Sequence, residues 1–321
     1  MKITPLRILA IGWLLGSNGL SADQAQFHYQ ESAAVLEITR GETPVLTYHK
    51  AEVAPPEGAA EAFRRSGFIH PLHTPKGAVV TSIHAPDHIH HMGLWHAWVH
   101  TEFRGRELDF WNLKAEQGTV RFAGSQRVTR LADSVGFTVR QEQVQLPREA
   151  GAKEEVVLAE NFTVQAKQVD GANVIDYVIE QTNVTDAPLG LPAYRYGGGI
   201  AFRAPESWDE ETSSYLTSEG LDRKAGHATR GRWCAMYGPT EYGGATVVIM
   251  GHPSNHDAPQ RMRLWPEGKV FFNFVPAQAS DWQIDPGQKI ELKYRVLIFD
   301  GHVAATEIEQ RWSAYKNEIH D

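Results

Sequence analysis

The chain has 321 residues, of which 42% are hydrophobic, 22% charged and 10% aromatic, a globular composition that excludes a disordered chain. Thirty-one Lys and Arg against 39 Asp and Glu give a formal charge of −8, so the basic footprint of a nucleic-acid-binding protein is missing. Twenty-eight Gly, 17 Pro and 9 Trp favour turn-rich β structure over a helical bundle.

Residues 1–22 read as a secretory signal. Lys2 and Arg7 precede an apolar run over 8–15, and Leu20-Ser21-Ala22 supplies a small-residue exit. Cleavage after Ala22 would place residues 23–321, as a single β-sandwich domain, in the periplasm or outside the cell. No later stretch is apolar enough over about 18 residues to span a membrane. The one cysteine, Cys234, has no internal disulfide partner, and a chain this long buries a sufficient core without one.

Alternating apolar and polar residues then dominate. Residues 34–39 and 44–49 flank a turn at Arg40-Gly41-Glu42 and read as a hairpin; 51–58 reads as a loop and 77–83 as a strand. Histidine is unevenly spread along this region. Eight of the 15 (His70, His73, His84, His88, His90, His91, His96, His100) fall within 31 residues, and none lies between His100 and His227. A lone strand histidine is more often a hydrogen-bonded structural residue than a ligand, and His100 is read that way. Eight together point to a site. In an extended stretch His88 and His90 share a face, as ligand pairs for a divalent metal ion do, while His91 faces away unless the chain bends near Gly93. Asp87 is a candidate ligand or orienting carboxylate. Trp95, Trp98 and Trp111 are aromatic faces that suit the apolar C–H face of a pyranose.

Further strands are expected at 94–103, 108–111 and 137–144. Residues 156–169 and 173–183 flank Asp170-Gly171, the strongest hairpin signal in the chain. In its second arm Ile175, Tyr177 and Ile179 alternate with Asp176, Val178 and Glu180. Tyr194-Arg195-Tyr196 precedes three glycines, 197–199, where backbone could approach a ligand and Arg195 grip a carboxylate or vicinal hydroxyls. Strands follow at 197–204, 245–250, 270–274 and 288–299, with a loop at 205–216. His252, Asn255 and His256 sit directly after the strand at 245–250, at a sheet rim where loops carry function. One helix is expected at 304–317, with Ile308, Trp312 and Tyr315 on one face. Many short strands and a terminal helix make an all-β, large antiparallel sandwich.

The stretch His70-Pro71-Leu72, then Asp87-His88-Ile89-His90-His91-Met92-Gly93-Leu94-Trp95 and Ala97-Trp98 resembles an exported bacterial family catalogued under the label PmoA, a methane-oxygenase name. Arg232-Trp233, the run from Gly251 to Asn255 and the run from Tyr294 to Gly301 are also similar, so the resemblance extends over about residues 27–316. This chain departs from the pattern at His73, where Tyr is common, and at Met92, where Arg is common, which removes a cation from the edge of the site. A membrane-embedded oxygenase subunit needs several hydrophobic spans, which this chain lacks. The resemblance implies instead a galactose-mutarotase-like supersandwich and a small-molecule sugar or glycoside as partner.

The expected function is that of an exported carbohydrate-active protein, an epimerase, glycoside hydrolase or lyase using histidine acid–base chemistry. His90, His91 and His96 are the expected catalytic residues. Asp87, Trp95, Tyr194, Arg195, His252 and Asn255 are expected to hold the substrate. The alternatives are a metal-dependent enzyme with His88 and His90 as ligands to a divalent ion, and a non-catalytic sugar-binding protein.

Overall fold

The computed structural model describes residues 26–149 and 151–318; the secretory-signal expectation over 1–22 lies outside the described residues. Period-two burial builds the sheets. Strand Ala172–Asn183 buries Ile175, Tyr177 and Ile179 and leaves Asp176, Val178 and Glu180 half-exposed, and it pairs antiparallel with Glu155–Val169 across the expected Asp170-Gly171 turn. The first hairpin, Val35–Arg40 with Thr43–His49, forms as expected.

Two eight-stranded antiparallel sheets result. In the first, strands run in the order Phe27–Glu31, Val35–Arg40, Thr43–His49, Phe68–Leu72, Leu94–Trp95, Ala201–Arg203, Phe271–Val275 and Arg261–Leu264. In the second the order is Gly118–Arg130, Ser134–Gln145, Glu155–Val169, Ala172–Asn183, Lys289–Asp300, Ala245–Gly251, Trp233–Gly238 and Ser214–Thr217. A four-stranded sheet and the short hairpin Ile83–Ala85/His88–Met92 complete the strands described. Leu36, Leu46, Tyr48 and Ile69 of the first sheet share one core with Phe137, Phe162, Tyr177 and Leu292 of the second. The fold is the all-β antiparallel sandwich expected. Helix Ala305–Tyr315 closes the outer face of the second sheet with Ile308, Trp312 and Tyr315.

Several strands are shorter than expected. Of 77–83 only Ile83 enters a strand, because Thr74 ties the preceding turn through Gly77 N–H and Ala78 N–H. The stretch 94–103 keeps strand form only at Leu94–Trp95 and Thr101–Phe103, since consecutive residues 94–99 are all buried and alternation cannot hold. The stretch 197–204 contracts to Ala201–Arg203, and the loop expected at 205–216 contains the start of strand Ser214–Thr217 and the buried Trp208. Gly118–Arg130, a 13-residue edge strand, escaped the sequence reading because it is half-exposed and polar.

Between the sheets lies a polar network rather than hydrocarbon alone. The fully buried Glu160 carboxylate accepts hydrogen bonds from His96 Nε2 (2.8 Å), Gln141 Nε2 (2.6 Å) and Gln181 Nε2 (2.8 Å). Tyr177 Oη bonds His96 Nδ1 at 2.6 Å, Tyr48 donates to Gln141 and Trp98 Nε1 to Gln181. Burial alone would raise the Glu160 carboxyl; His96 and the two amides outweigh it and hold it below its ordinary value. The equally buried Arg65 guanidinium sits in the field of this carboxylate. Turning one of these acceptor oxygens into a donor leaves buried groups unmatched, at a cost of about 1–3 kcal/mol. Glu160→Gln is therefore expected to lower unfolding stability by that order in urea denaturation; a loss well under about 1 kcal/mol would show that the network does not carry the core.

Candidate functional site

Hairpin Ile83–Ala85/His88–Met92 delivers the histidines. Strict alternation would turn His91 away from His88 and His90, yet the rings converge: His88 to His91 is 4.8 Å between centroids, His90 to His91 4.8 Å and His88 to His90 5.5 Å. The cause is a broken register. Ile83 faces Met92 and Ala85 faces His88, so two steps on one strand answer four on the other, a bulge that re-aims side chains. Gly93 ends the strand at φ +71°, and a Cβ there would lie 2.5 Å from the Ile69 carbonyl oxygen, so only glycine permits the bend.

The three rings line a cleft of about 110 Å³. Trp111 and Asn112 enter it from one loop, Arg195 and Tyr196 from a second, and Arg263, Trp265 and Phe271 from the edge of the first sheet. Asp109 fixes the first loop by accepting from the backbone N–H of Trp111 and Asn112 and from Asn112 Nδ2; Tyr196 Oη then donates to Asn112 Oδ1 at 3.1 Å. His91 is buried, stacked on Phe271 at 4.7 Å, and its Nδ1 has no hydrogen-bond partner. Trp265 is half-exposed and lies 4.5 Å from His88.

The histidines are held neutral. Burial pushes His90 down to about 3, with the neighbouring His88 and Arg65 adding to the effect. His91 lies well below its ordinary value through burial and then through His90, His88, Arg203 and Arg263. Burial also lowers His88, and Asp87 offsets only part of this. At neutral pH the rings begin as hydrogen-bond acceptors and proton acceptors, not as acids.

Other expected residues are placed elsewhere. His96 has both ring nitrogens committed to Tyr177 and Glu160 in the core, so it does not reach the cleft. Trp95 is fully buried behind His91 and Trp111 and cannot touch a ligand. Asp87 pairs with the buried Arg203 at 2.7 Å, and this pairing outweighs the effect of burial and keeps its carboxyl below the usual range. It contacts His88 Nδ1 at 3.3 Å, which makes it a positioning residue. Tyr194 borders the cleft, 4.9 Å from Tyr196, with Arg195 over its ring. His252 and Asn255 line a different pocket, with Pro253, Pro259 and Trp312; Asn255 is spent on the Lys293 backbone. The three glycines do not cradle a ligand: a Cβ on Gly198 would strike the Trp98 ring at 2.2 Å and one on Gly199 the Phe274 carbonyl oxygen at 2.2 Å, so they admit core neighbours instead. Arg203, Arg263, Trp265, Phe271 and Asn112 went unread, because no local motif marks them.

The metal expectation does not fit the donors. Among the described residues no group of three or more His, Cys, Asp or Glu is placed to hold a metal ion; His88 and His90 lack a third ligand, and Asp87 is engaged by Arg203. No described helix is long and apolar enough to cross a membrane.

The sequence model of a family of unknown function (DUF6807) matches residues 35–313; its description does not supply the PmoA label. Comparison with curated proteins returns no match. Similar solved structures include heparan sulfate lyase HepC from Pedobacter heparinus, 9% identical over 88% of this chain and 36% of the lyase, with TM-score 0.39. A galactose mutarotase-like protein from Lactobacillus casei is 10% identical over 85% of this chain and 100% of its own, with TM-score 0.37. A putative aldose 1-epimerase from Klebsiella pneumoniae is 11% identical over 88% and 84%, with TM-score 0.39. This chain thus spans about a third of the lyase's length.

Imidazoles that are neutral when folded and free to protonate when unfolded give stability a defined pH dependence. Above the unfolded pKa of about 6.5 they contribute no difference. Below it the unfolded chain takes up protons that the folded cleft refuses, and each such ring costs about 1.4 kcal/mol by one pH unit lower. The melting temperature should fall from pH 7 to pH 5, and His90→Gln should flatten that slope in parallel melts. An unchanged slope would show that His90 titrates normally in the fold.

Proposed function

We propose that this chain, which belongs to the family of unknown function DUF6807, is an exported protein that binds a small sugar or glycoside in the histidine cleft and acts on it by proton transfer. The observation that carries this reading is the convergence of His88, His90 and His91 within 5.5 Å in a cleft walled by Trp111, Trp265 and Phe271. Of these aromatics only Trp265 is half-exposed, where its face can meet the apolar face of a sugar ring, and unprotonated imidazoles can take a proton from a hydroxyl or an acidic C–H and return it on the other side of the reaction. His90 is the candidate base. His91, packed on Phe271, holds the geometry and offers a second nitrogen. Trp265, half-exposed, is the candidate platform, and Asp87 orients His88 from its own pairing with Arg203. Residues 1–22 supply the export signal in this proposal.

Thermal shift against sugars, keto-sugars and glycosides, followed by product analysis with the sugars that bind, tests the reading. His90→Gln is expected to abolish the shift or to cut turnover by about 10²–10⁴-fold, the usual share of an acid–base group. His302→Gln removes a ring that stacks on Tyr237 outside the cleft and should leave both intact. Binding without turnover on every sugar would make the protein a binding module; equal losses in the two variants would remove the cleft from the account.

A further inference from the structure

The charge inside the cleft opposes that of the chain. The chain carries a formal charge of −8, yet the charged residues that line the cleft are Arg195 and Arg263. Both guanidinium groups lie over the ring of Tyr196, at 5.7 Å and 5.4 Å. Neither makes an ion pair among the described residues, and the carboxylates close by are already engaged: Asp87 and Glu206 by Arg203, and Asp109 by the loop at Asn112. Two cations sharing one ring beside three uncharged imidazoles leave positive charge facing the cleft, and burial together with the charge of Arg195 lowers Arg263 below its ordinary value. Guanidinium groups in a partly dry site recognise oxyanions through charge-assisted, often paired N–H bonds.

We infer that the ligand of this cleft is an anionic sugar, whose carboxylate or phosphate oxygens sit between Arg195 and Arg263 while its ring lies against Trp265. The inference rests on the sugar reading above and narrows it to one substrate class. The anion would also offset the small share of Arg263 in lowering His88 and His91, whose main cause is burial.

Titration calorimetry of the full chain with D-glucuronate, glucose 6-phosphate and glucose tests it. At least one anion is expected to bind ten-fold or more tighter than glucose, with the stronger anion identifying carboxylate or phosphate as the source. Arg263→Gln, and separately the exposed Arg195→Gln, are expected to lose about ten-fold for that anion and little for glucose, while Arg64→Gln, a surface residue paired with Glu61, changes nothing. Two arginine variants guard against a folding defect in the half-buried one. Glucose binding as tightly as either anion, with His90→Gln still abolishing it, would overturn the anionic class and leave the sugar reading standing. Equal losses for all three ligands in the arginine variants would overturn it too. Saturable binding of none of the three would overturn both.

Discussion

A carboxylate shut away from water must find its donors inside the protein, and the sandwich is arranged around one that does. Glu160 projects from the second sheet and takes hydrogen bonds from two amides on flanking strands and from His96, which belongs to the chain leaving the first sheet at Leu94–Trp95. Leaving any of these donors unmatched in a dry core costs far more than a surface bond returns. The network therefore sets which residue follows Trp95 into the core, and with it where the preceding hairpin emerges. His88, His90 and His91 are presented at the cleft because His96, five residues beyond His91, is anchored between the sheets.

A second layer acts outward from that anchor. The buried Arg203 pairs through its terminal nitrogens with Asp87 and Glu206 and lies 5.0 Å from Trp265. It thereby links the hairpin tip to the aromatic at the first sheet's edge. Arg263, two residues before Trp265, makes no ion pair among the described residues. One arginine is spent on building the site and another remains available to a ligand. The difference lies in the acids within reach, not in residue type, and it turns a cleft in an acidic protein into one that attracts anions.

The fold was legible because antiparallel sheets write period-two patterns: Ala172–Asn183 and its Asp170-Gly171 turn stood out in the sequence, as did the helix with Ile308, Trp312 and Tyr315 on one face. The heart of the candidate site was legible for another reason, the density of histidine near residue 90. What local pattern could not reveal is how side chains are shared between layers. His96 looks like its neighbours in sequence, yet its partner Glu160 is 64 residues away. His252 and Asn255 do follow a strand, as read, but their loop opens beside Trp312 rather than beside the histidines. Arg263, Trp265 and Phe271 come from a segment without any motif and meet the histidines only through the pairing of Arg261–Leu264 with Phe271–Val275 at the sheet's edge. The one-sided spacing rule failed at His91 because a bulge is a property of two strands, not of one sequence.

The most direct test of a cationic, aromatic cleft around neutral imidazoles is a crystal structure of the protein with glucuronate or glucose 6-phosphate bound, whichever binds more tightly. The expected pose puts the sugar ring against Trp265, its anionic oxygens within hydrogen-bonding distance of Arg195 and Arg263, and a hydroxyl on His90. The sugar lodged instead in the pocket of His252 and Trp312, or in the histidine cleft with its anionic group turned away from both arginines, would contradict it.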